Sequence, residues 1–368
     1  MKNGVLVCKG GAYKKNIGDY IQSVAQEQFW PNVDCYCERE ALNEIKSDET
    51  INLIMNGWFM WNPAKFPPAP SINPLFVSFH IVPSFSERFF TKETIAYLKK
   101  FEPIGARDYG TRDLLESYGI KSYYSSCLTL TLGMHYKNEK KTDEILFVDP
   151  FYKISGTRGD LYNIKLYLLT LFYVLRYSLA VIPLWKNFEY EQGSVWNHIS
   201  KKLGKFICLV SFYATYRPLF SKRLLQNCKV LTHSIVRSRY PEVEDWMCLA
   251  KSYIKRYAAA KMVITSRIHC ALPCLAVDTP VIYVDNAMSE SMKYRSPGRL
   301  GGLKDLLNVL TLSDKGFEMS ESLKKQVPSN LIDIDTMFVN SIKYRTYRDD
   351  LIKRVTTFVK NCAVNEKC

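Results

Sequence analysis

Arg267 and His269 are the residues whose types and spacing best suit proton transfer beside a bound anion. A guanidinium can hold a phosphate or a carboxylate through two parallel hydrogen bonds. An imidazole, whose ordinary pKa lies near neutrality, can give or take a proton beside that anion. Together with Ile268 between them, they predict a site for a phosphorylated or carboxylated substrate. The alternative is structural, with Arg267 paired to a carboxylate and His269 packing or capping a helix.

Residues 262–286 must position this pair, and their sequence predicts a strand, a tight turn, a helix and a second strand. The first apolar run ends at a polar corner that begins with Ser266. Polar groups at the carboxyl end of a parallel strand face the crevice in which open α/β sheets bind ligands. The first N–H groups of the following helix also favour an anion there.

Aromatic residues and a histidine are further candidates in the first part of the chain. Residues 51–57 predict a buried strand, and the proline-rich segment that follows contains Trp58 and Trp61. Either indole could form a platform for a sugar ring, or both could pack only within their own loop. The apolar run LFVSFH predicts a strand that ends at His80, near the same crevice.

Two polar loops complete the set of candidates. The basic loop GGAYKKNIGDY precedes a predicted helix at residues 17–29 and matches neither GxGxxG nor the P-loop pattern, so no nucleotide cofactor is predicted. Within it, Asp19 could take a proton from a sugar hydroxyl, or it could cap the helix. Beyond residue 286, a polar segment offers Ser289, Lys293 and Arg295 as contacts for an anion.

The charge of the chain is strongly positive and unevenly distributed. The net charge is +14 over 368 residues, and residues 151–260 hold 17 Lys and Arg against six Asp and Glu. Such an excess suits nucleic acid, an acidic membrane surface or a phosphorylated substrate. The basic residues are spread among apolar runs without a recognisable nucleic-acid-binding module, so we predict that nucleic acid is not the partner.

Cysteine usage and the first residues point to the cytoplasm. The 11 cysteines are irregularly spaced and include no CxxC pair, which predicts neither a disulfide scaffold nor a metal site. A reducing compartment is the simplest expectation. The apolar run at residues 5–8 is too short for a secretory signal and predicts a strand.

Residues 161–184 are apolar over about the length of a membrane span. Lys165 and Arg176 interrupt this run, and burying both charges in a bilayer would be costly. Residues 180–184 predict a strand after the helix. We therefore predict a helix that either packs against its own domain or lies on a membrane surface, to which the aromatic residues 206–220 could add.

The segment TSRIHCALPCLAVDTPVIYV, with THSI at residues 232–235 and GARD at residues 105–108, resembles the polysaccharide pyruvyl transferase family. The similarity begins at the Asn16-Ile17-Gly18-Asp19 loop and ends near Asn286. Residues 125–127, SSC, depart from the family pattern, which leaves the role of this segment open.

The resemblance assigns roles to the candidate residues. It implies His269 as the catalytic acid and base, with Asp19 activating the acceptor. Arg107 is implied as a second anion clamp across the cleft. On this reading the predicted phosphoenolpyruvate contacts are Arg107, Arg267, Ile268, Ser289 and Lys293, the last two from the polarity of their segment, since the resemblance ends before them. The predicted acceptor contacts are Asn16, Trp58, Trp61 and His80.

Alternating strands and helices predict an α/β fold with two Rossmann-like domains facing a cleft. This glycosyltransferase-B-like arrangement is also what the resemblance implies. We predict an N-terminal domain at residues 1–144 on the acceptor side and a C-terminal domain at residues 145–345 on the phosphoenolpyruvate side. Residues 346–368 are predicted to form a helix that packs back on the first domain. A second predicted helix covers residues 300–310.

The resemblance implies transfer of pyruvate from phosphoenolpyruvate to two hydroxyls of a sugar, forming a cyclic ketal during surface polysaccharide biosynthesis. It implies no metal and no cofactor. Acceptors in this family are often glycans carried on polyprenyl diphosphate lipids, which agrees with a cytoplasmic protein on the inner membrane face. The alternative is a nucleotide-sugar-dependent glycosyltransferase of the same fold, although no Glu is clearly placed to hold a ribose.

Overall fold

The computed structural model describes residues 1–9, 14–138, 140–154, 164–189, 200–287, 300–313 and 315–365. In this part of the chain, strands alternate with helices. The strands, β1 to β16 in order, are Lys2–Val7, Lys14–Asn16, Cys35–Glu38, Ile51–Ile54, Gly57–Phe59, Ile72–Leu75, Phe79–Ile81, Ile104–Ala106, Ser122–Tyr124, Ile145–Val148, Lys229–Leu231, Ser234–Val236, Met262–Thr265, Val281–Asn286, Asn308–Ser313 and Gly316–Met319. The helices, α1 to α12, are Ile17–Glu27, Ser86–Phe89, Lys92–Lys99, Tyr109–Ser117, Gly133–Tyr136, Ile164–Tyr177, Lys201–Tyr216, Lys222–Asn227, Val243–Ala259, Ile268–Ala276, Glu321–Gln326 and Tyr344–Asn365.

The largest sheet has six strands in the order β11-β10-β13-β14-β15-β16. All neighbouring pairs are parallel except β15 and β16, which are antiparallel. Its central strands β10 and β13 read ILFV and MVIT, and every residue in them is buried. Parallel strands covered by helices on both faces require such continuous apolar runs. The predicted α/β class with Rossmann-like parallel sheets agrees with this arrangement.

The first 144 residues form two smaller parallel sheets, with the orders β3-β1-β4-β6 and β5-β7-β8-β9. The prediction of one strand over LFVSFH is wrong, because the chain passes from β6 in one sheet to β7 in the other. Ser78 makes this change of direction with a left-handed backbone (φ 54°), and its N–H donates to the Ser125 hydroxyl at 2.9 Å. His80 consequently lies in the middle of β7 and not at its carboxyl end.

A two-stranded antiparallel sheet joins distant parts of the chain. Strand β2 pairs with β12, so that Asn16 lies opposite Ser234. Residues 229–236 are therefore divided between β11 in the large sheet and β12 in this ladder. The pairing brings the loop before α1 next to the loop after β11.

The strand, turn, helix and strand predicted for residues 262–286 are confirmed as β13, α10 and β14. Helix α10 contains Pro273, which cannot donate to the carbonyl of His269 four residues earlier. His269 itself has non-helical backbone angles (φ −82°, ψ 16°). The first turn of α10 is therefore loosened at the residue predicted to do the chemistry.

Two other predicted elements are wrong. Residues 182–187 form a 3₁₀ helix with Pro183 in its first turn, where we predicted a strand. Proline lacks the N–H that a sheet neighbour would need. Residues 300–310 are not one helix, because Gly302 adopts φ +82° and the apolar alternation of NVLTLS forms β15.

One apolar cluster includes residues from both sides of residue 144, among them Val5, Ile17, Val148 and Leu272. The long helix α12 contacts the first part of the chain, with Phe358 centred 6.1 Å from Trp30 and the Arg354 guanidinium 4.3 Å from the centre of the Tyr123 ring. None of the helices in the described ranges has the length and apolar character needed to cross a membrane.

Candidate active site

A cavity of about 960 Å³ opens at the carboxyl ends of β1, β8 and β13. Helices α1, α4 and α10 begin at its wall, and the first N–H groups of a helix favour an anion. The predicted residues on its wall are Asn16, Asp19, Trp58, Trp61, Arg107, Arg267, Ile268 and His269. Ser289, Lys293 and Arg295 lie outside the described residues.

Arg267 is held in place by a carboxylate from the neighbouring strand. Its Nε lies 2.6 Å from Oδ2 of Asp149, which directly follows β10, and 38% of its side chain remains exposed. Burial opposes ionisation of Asp149, but Arg267, followed by His233, outweighs it and holds the pKa of this carboxyl below its usual value. Arg267 therefore has the carboxylate partner that the structural alternative predicts. It nevertheless lines the cavity, where it can also contact a ligand.

His269 lies where two helices begin side by side. A methyl group on Gly18 would lie 3.1 Å from the Cβ of His269, so the first turns of α1 and α10 are in close contact. This contact places His269 and Asp19, one residue beyond Gly18, on the wall of the same cavity. An acid and base from two separate loops can therefore face one substrate.

The side chain of Asn16, and not that of Asp19, caps helix α1. Oδ1 of Asn16 accepts the N–H of Gly18 at 3.1 Å. Oδ1 of Asp19 lies instead 3.4 Å from Nη1 of Arg39, a buried residue on the cavity wall. Capping therefore does not explain Asp19, and its carboxylate remains a candidate proton acceptor.

His233 connects the two sides of the cavity. Its carbonyl accepts the N–H of Ile17 at 2.9 Å, and its own N–H donates to Oδ2 of Asp149 at 3.0 Å. Its Nε2 lies 2.6 Å from the hydroxyl of Tyr257, which fixes the ring. The loop after β11 thus holds both the start of α1 and the carboxylate that orients Arg267.

Arg107 and His80 meet at Asp108, the N-cap of α4. Arg107 is buried but reaches the cavity wall, with Nε 3.7 Å from Oδ2 of Asp108. Nδ1 of His80 lies 2.7 Å from the same oxygen, and Oδ1 accepts the N–H of Thr111 at 2.9 Å. Burial opposes ionisation of Asp108, but the nearby His80, and then Arg107, keep its pKa below the usual value.

Among the predicted contacts that fall on described residues, His80 is the one absent from the cavity wall. It is almost fully buried in β7 and contacts Asp108 and Thr111. The strand break at Ser78 accounts for this position, since it turns His80 into the sheet interior. Contact between His80 and an acceptor is therefore not supported, and a positioning role through Asp108 fits its location better.

Aromatic rings form another part of the wall. The rings of Trp58 and Trp61 are centred 4.5 Å apart, and Trp61 lies 5.9 Å from Phe85. The Arg39 guanidinium lies 5.5 Å from the centre of the Trp58 ring. Trp61 is 66% exposed, which leaves a broad apolar face open to a ligand.

Sequence reasoning missed Asp149, Arg39 and Lys304. Asp149 directly follows the apolar run of β10. Arg267 was identified because it follows an apolar strand in the same way, so this pattern could also have identified Asp149. Arg39 has no local signal, because its partner Asp19 is 20 positions away. Lys304 lines the cavity and pairs with Asp285 at 2.5 Å, in a segment predicted to be a plain helix.

The wall therefore combines the cations Arg39, Arg107, Arg267 and Lys304 with two imidazoles, two carboxylates and indole rings. Such a wall can bind a small dianion, move protons beside it and stack on a sugar. Within the described ranges, no group of three or more His, Cys, Asp or Glu is arranged to hold a metal ion.

Comparison with known proteins agrees with this geometry. No significant match was found among curated proteins. The family model described as polysaccharide pyruvyl transferase matches residues 16–287, which include the Asn16 loop, Arg107 and the whole β13-α10-β14 unit. That range covers most of the chain and most of the described cavity wall. The chain belongs to the polysaccharide pyruvyl transferase family.

Proposed function

We propose that this protein transfers pyruvate from phosphoenolpyruvate onto two hydroxyls of a sugar, forming a cyclic ketal. In this reaction a proton adds to the methylene carbon of the donor, and the two sugar oxygens form bonds to the neighbouring carbon. The bond from that carbon to the phosphate oxygen breaks. One of the two hydroxyl protons balances the new methyl group and the other leaves with phosphate, so no oxidant or reductant is needed.

The observation that carries the proposal is the pairing of Arg267 with Asp149 on a cavity that Arg107 also lines. Phosphoenolpyruvate bears a phosphate and a carboxylate close together, and two arginines can hold both groups. The N-termini of α4 and α10 add favourable electrostatics for the same anion. In this proposal the backbone of Ile268 in the first turn of α10 also contacts the donor.

His269 is the proposed proton donor to the methylene carbon, since it lies two residues from Arg267 on the same wall. Asp19 is the proposed acceptor of a hydroxyl proton. Its carboxylate lies beside Arg39, which keeps a compensating positive charge near it. The close contact of Gly18 with His269 supports a division of labour between two helices that start together.

The proposed acceptor is a sugar of a surface polysaccharide under assembly, stacked on Trp61 with Asn16 nearby. Exposed indole rings commonly support the apolar face of a sugar. We extend the proposal to an acceptor carried on a lipid, with two glycosyltransferase-B-like domains enclosing it. No metal and no cofactor take part in the proposed reaction.

Isothermal calorimetry with phosphoenolpyruvate and a panel of nucleotide sugars tests the donor without knowledge of the acceptor. We expect phosphoenolpyruvate to bind, and Arg267→Ala to weaken it by about tenfold or more, because a charge-assisted contact is lost. Arg223→Ala is the control, since Arg223 pairs with Asp335 at 2.8 Å on the exposed surface. It should bind like the original protein.

The alternative donor is a nucleotide sugar, as in glycosyltransferases with the same predicted arrangement. Binding of a nucleotide sugar without binding of phosphoenolpyruvate would reject the pyruvyl-transfer proposal for this chain. Equal loss of affinity in the Arg267 and Arg223 variants would reject the assigned role of Arg267.

A further inference from the structure

Helix α6 and the turn after it expose a continuous apolar face. The large side chains on it are between 49 and 81% exposed. They are Ile164, Tyr167, Leu168, Leu171, Phe172, Leu175, Leu179 and Ile182. So many large apolar side chains in one region exceed the scattered exposure that is normal for a protein surface.

Their spacing puts these residues on the outer side of the helix. Ile164, Leu168, Leu171 and Leu175 follow one another at intervals of four, three and four, which places them on one helical face. The opposite face packs inward, where Thr170 is buried. Tyr177, at the end of α6, lies with its ring centred 5.5 Å from that of Tyr213 in α7. The inner face therefore attaches the helix to the protein, and the large apolar side chains of the outer face remain exposed.

The charged side chains of α6 and the turn after it all have one sign. Residues 164–188 contain Lys165, Arg176 and Lys186 and no Asp or Glu. At 100° per residue, Lys165 and Arg176 lie beside Phe172 at one edge of the apolar face. Exposed Lys201 and Lys202 begin helix α7, which packs on α6. An apolar strip with a cationic edge is complementary to the surface of a bilayer, where apolar acyl chains lie beneath anionic headgroups.

We propose that the outer face of α6 docks this protein in the interfacial plane of a bilayer that contains anionic lipids. With 14 residues, α6 is about 21 Å long, shorter than the ~30 Å apolar core of a bilayer, so it lies along the membrane. The apolar side chains enter the acyl boundary while Lys165 and Arg176 contact lipid phosphates. A second copy of the chain is a poorer partner, because its face would bring the same positive edge.

This inference does not rest on pyruvyl transfer, since it follows from the surface of α6 alone. It adds a location to the proposed function, because a docked enzyme would meet acceptors that are carried on lipids. The test below contains neither donor nor acceptor, so its failure would leave the proposed reaction untouched.

Vesicle co-sedimentation of the full chain tests the docking surface. One set of vesicles is phosphatidylcholine alone, and the other adds phosphatidylglycerol. We expect stronger binding to the anionic set and about tenfold weaker binding for Leu171→Glu with Leu175→Glu, because two exposed leucines no longer enter the bilayer. The double variant Lys165→Glu with Arg176→Glu should lose the preference for anionic vesicles.

The matched control is Met337→Glu with Ile342→Glu, which changes two exposed apolar residues, 89% and 67% exposed, that do not belong to α6. It should bind vesicles like the original protein. The proposal is overturned if the original protein binds neither set, or if the leucine variant binds as well as the control. It is also overturned if the original protein does not bind vesicles and light scattering shows that it is a dimer while the leucine variant is a monomer.

Discussion

The carboxylate of Asp149 lies 2.6 Å from Nε of Arg267, although the two residues are 118 positions apart in the chain. The same carboxylate accepts the N–H of His233 at 3.0 Å. One buried anion thus joins the loops that follow β10, β11 and β13. Arg267 therefore faces the cavity in an orientation fixed by a charge-assisted contact.

Asp149→Asn should weaken the affinity for phosphoenolpyruvate by about tenfold, because Arg267 loses its charged partner and turns more freely. Calorimetry measures this effect. Glu144→Gln is the matched control, since it removes a carboxylate that pairs with Arg256 at 2.8 Å outside the cavity wall. If Asp149→Asn binds phosphoenolpyruvate equally well or more tightly, Asp149 only balances the charge of Arg267 and does not orient it for the donor.

Asp19→Asn should slow pyruvyl transfer by about 10²-fold or more while leaving the affinity for phosphoenolpyruvate nearly unchanged. The expected cause is loss of the base that takes a hydroxyl proton. The rate of pyruvyl transfer is measured as the release of phosphate, with a sugar acceptor that screening has identified.

The control for Asp19 is Glu40→Gln, because Glu40 is the other carboxylate beside Arg39, with Oε1 3.3 Å from Nε. If both variants lose the same activity, a disturbed wall around Arg39 and Trp61, whose N–H Glu40 accepts at 2.8 Å, explains the loss and proton transfer by Asp19 does not.

Asp108→Asn should lower the free energy of unfolding at neutral pH by about 3 kcal/mol, because it removes a buried carboxylate that contacts both Arg107 and His80. Asn can still cap α4, so the change isolates the charge. The folded pKa of Asp108 is depressed, so this stability is complete above the ordinary pKa of Asp and is lost as pH falls through the folded value.

Denaturant unfolding from pH 7 down to pH 3 measures this difference. The gap between the original protein and Asp108→Asn should narrow as the solution becomes acidic. Asp113→Asn, at an exposed carboxylate paired with Arg112, should show little change at any pH. A gap that stays constant down to pH 3 contradicts the assignment.

Trp61→Ala should raise the KM for the sugar acceptor by about tenfold, because a stacked indole contributes roughly 1 kcal/mol or more to such contacts. The free energy of unfolding should hardly change, since the side chain is 66% exposed. Trp61→Phe keeps an aromatic face and should restore most of the affinity. Equal KM values in Trp61→Ala and the original protein would remove Trp61 from the acceptor site.

Local sequence signals predicted β13, α10 and β14, the elements that carry Arg267 and His269. An apolar run, a polar corner and a small-residue helix were enough to locate Arg267 and His269, because each is set by its immediate neighbours. Asp108, the last residue of GARD, directly precedes α4, where its carboxylate accepts the N–H of Thr111.

Contacts between distant segments were not predictable in the same way. His80 was misplaced because the left-handed turn at Ser78 moves the chain to another sheet. Two ion pairs of the site depend on which loops the sheets bring together, namely Asp149 with Arg267 and Asp19 with Arg39. No local sequence pattern predicts which loops will meet. The sequence of α6 allowed either packing against its own domain or a position on a membrane surface, and only its packing shows which side is exposed.

The ladder between β2 and β12 limits how this protein can be recombined with its relatives. Residues 14–16 and 234–236 hydrogen-bond to each other, so a chimera that takes its second half from another family member must import a matching β12. A mismatch there would shift Asn16 against His233 and displace the loop before α1 from the loop after β11. Crossover points that keep both strands from one parent should therefore give the active hybrids.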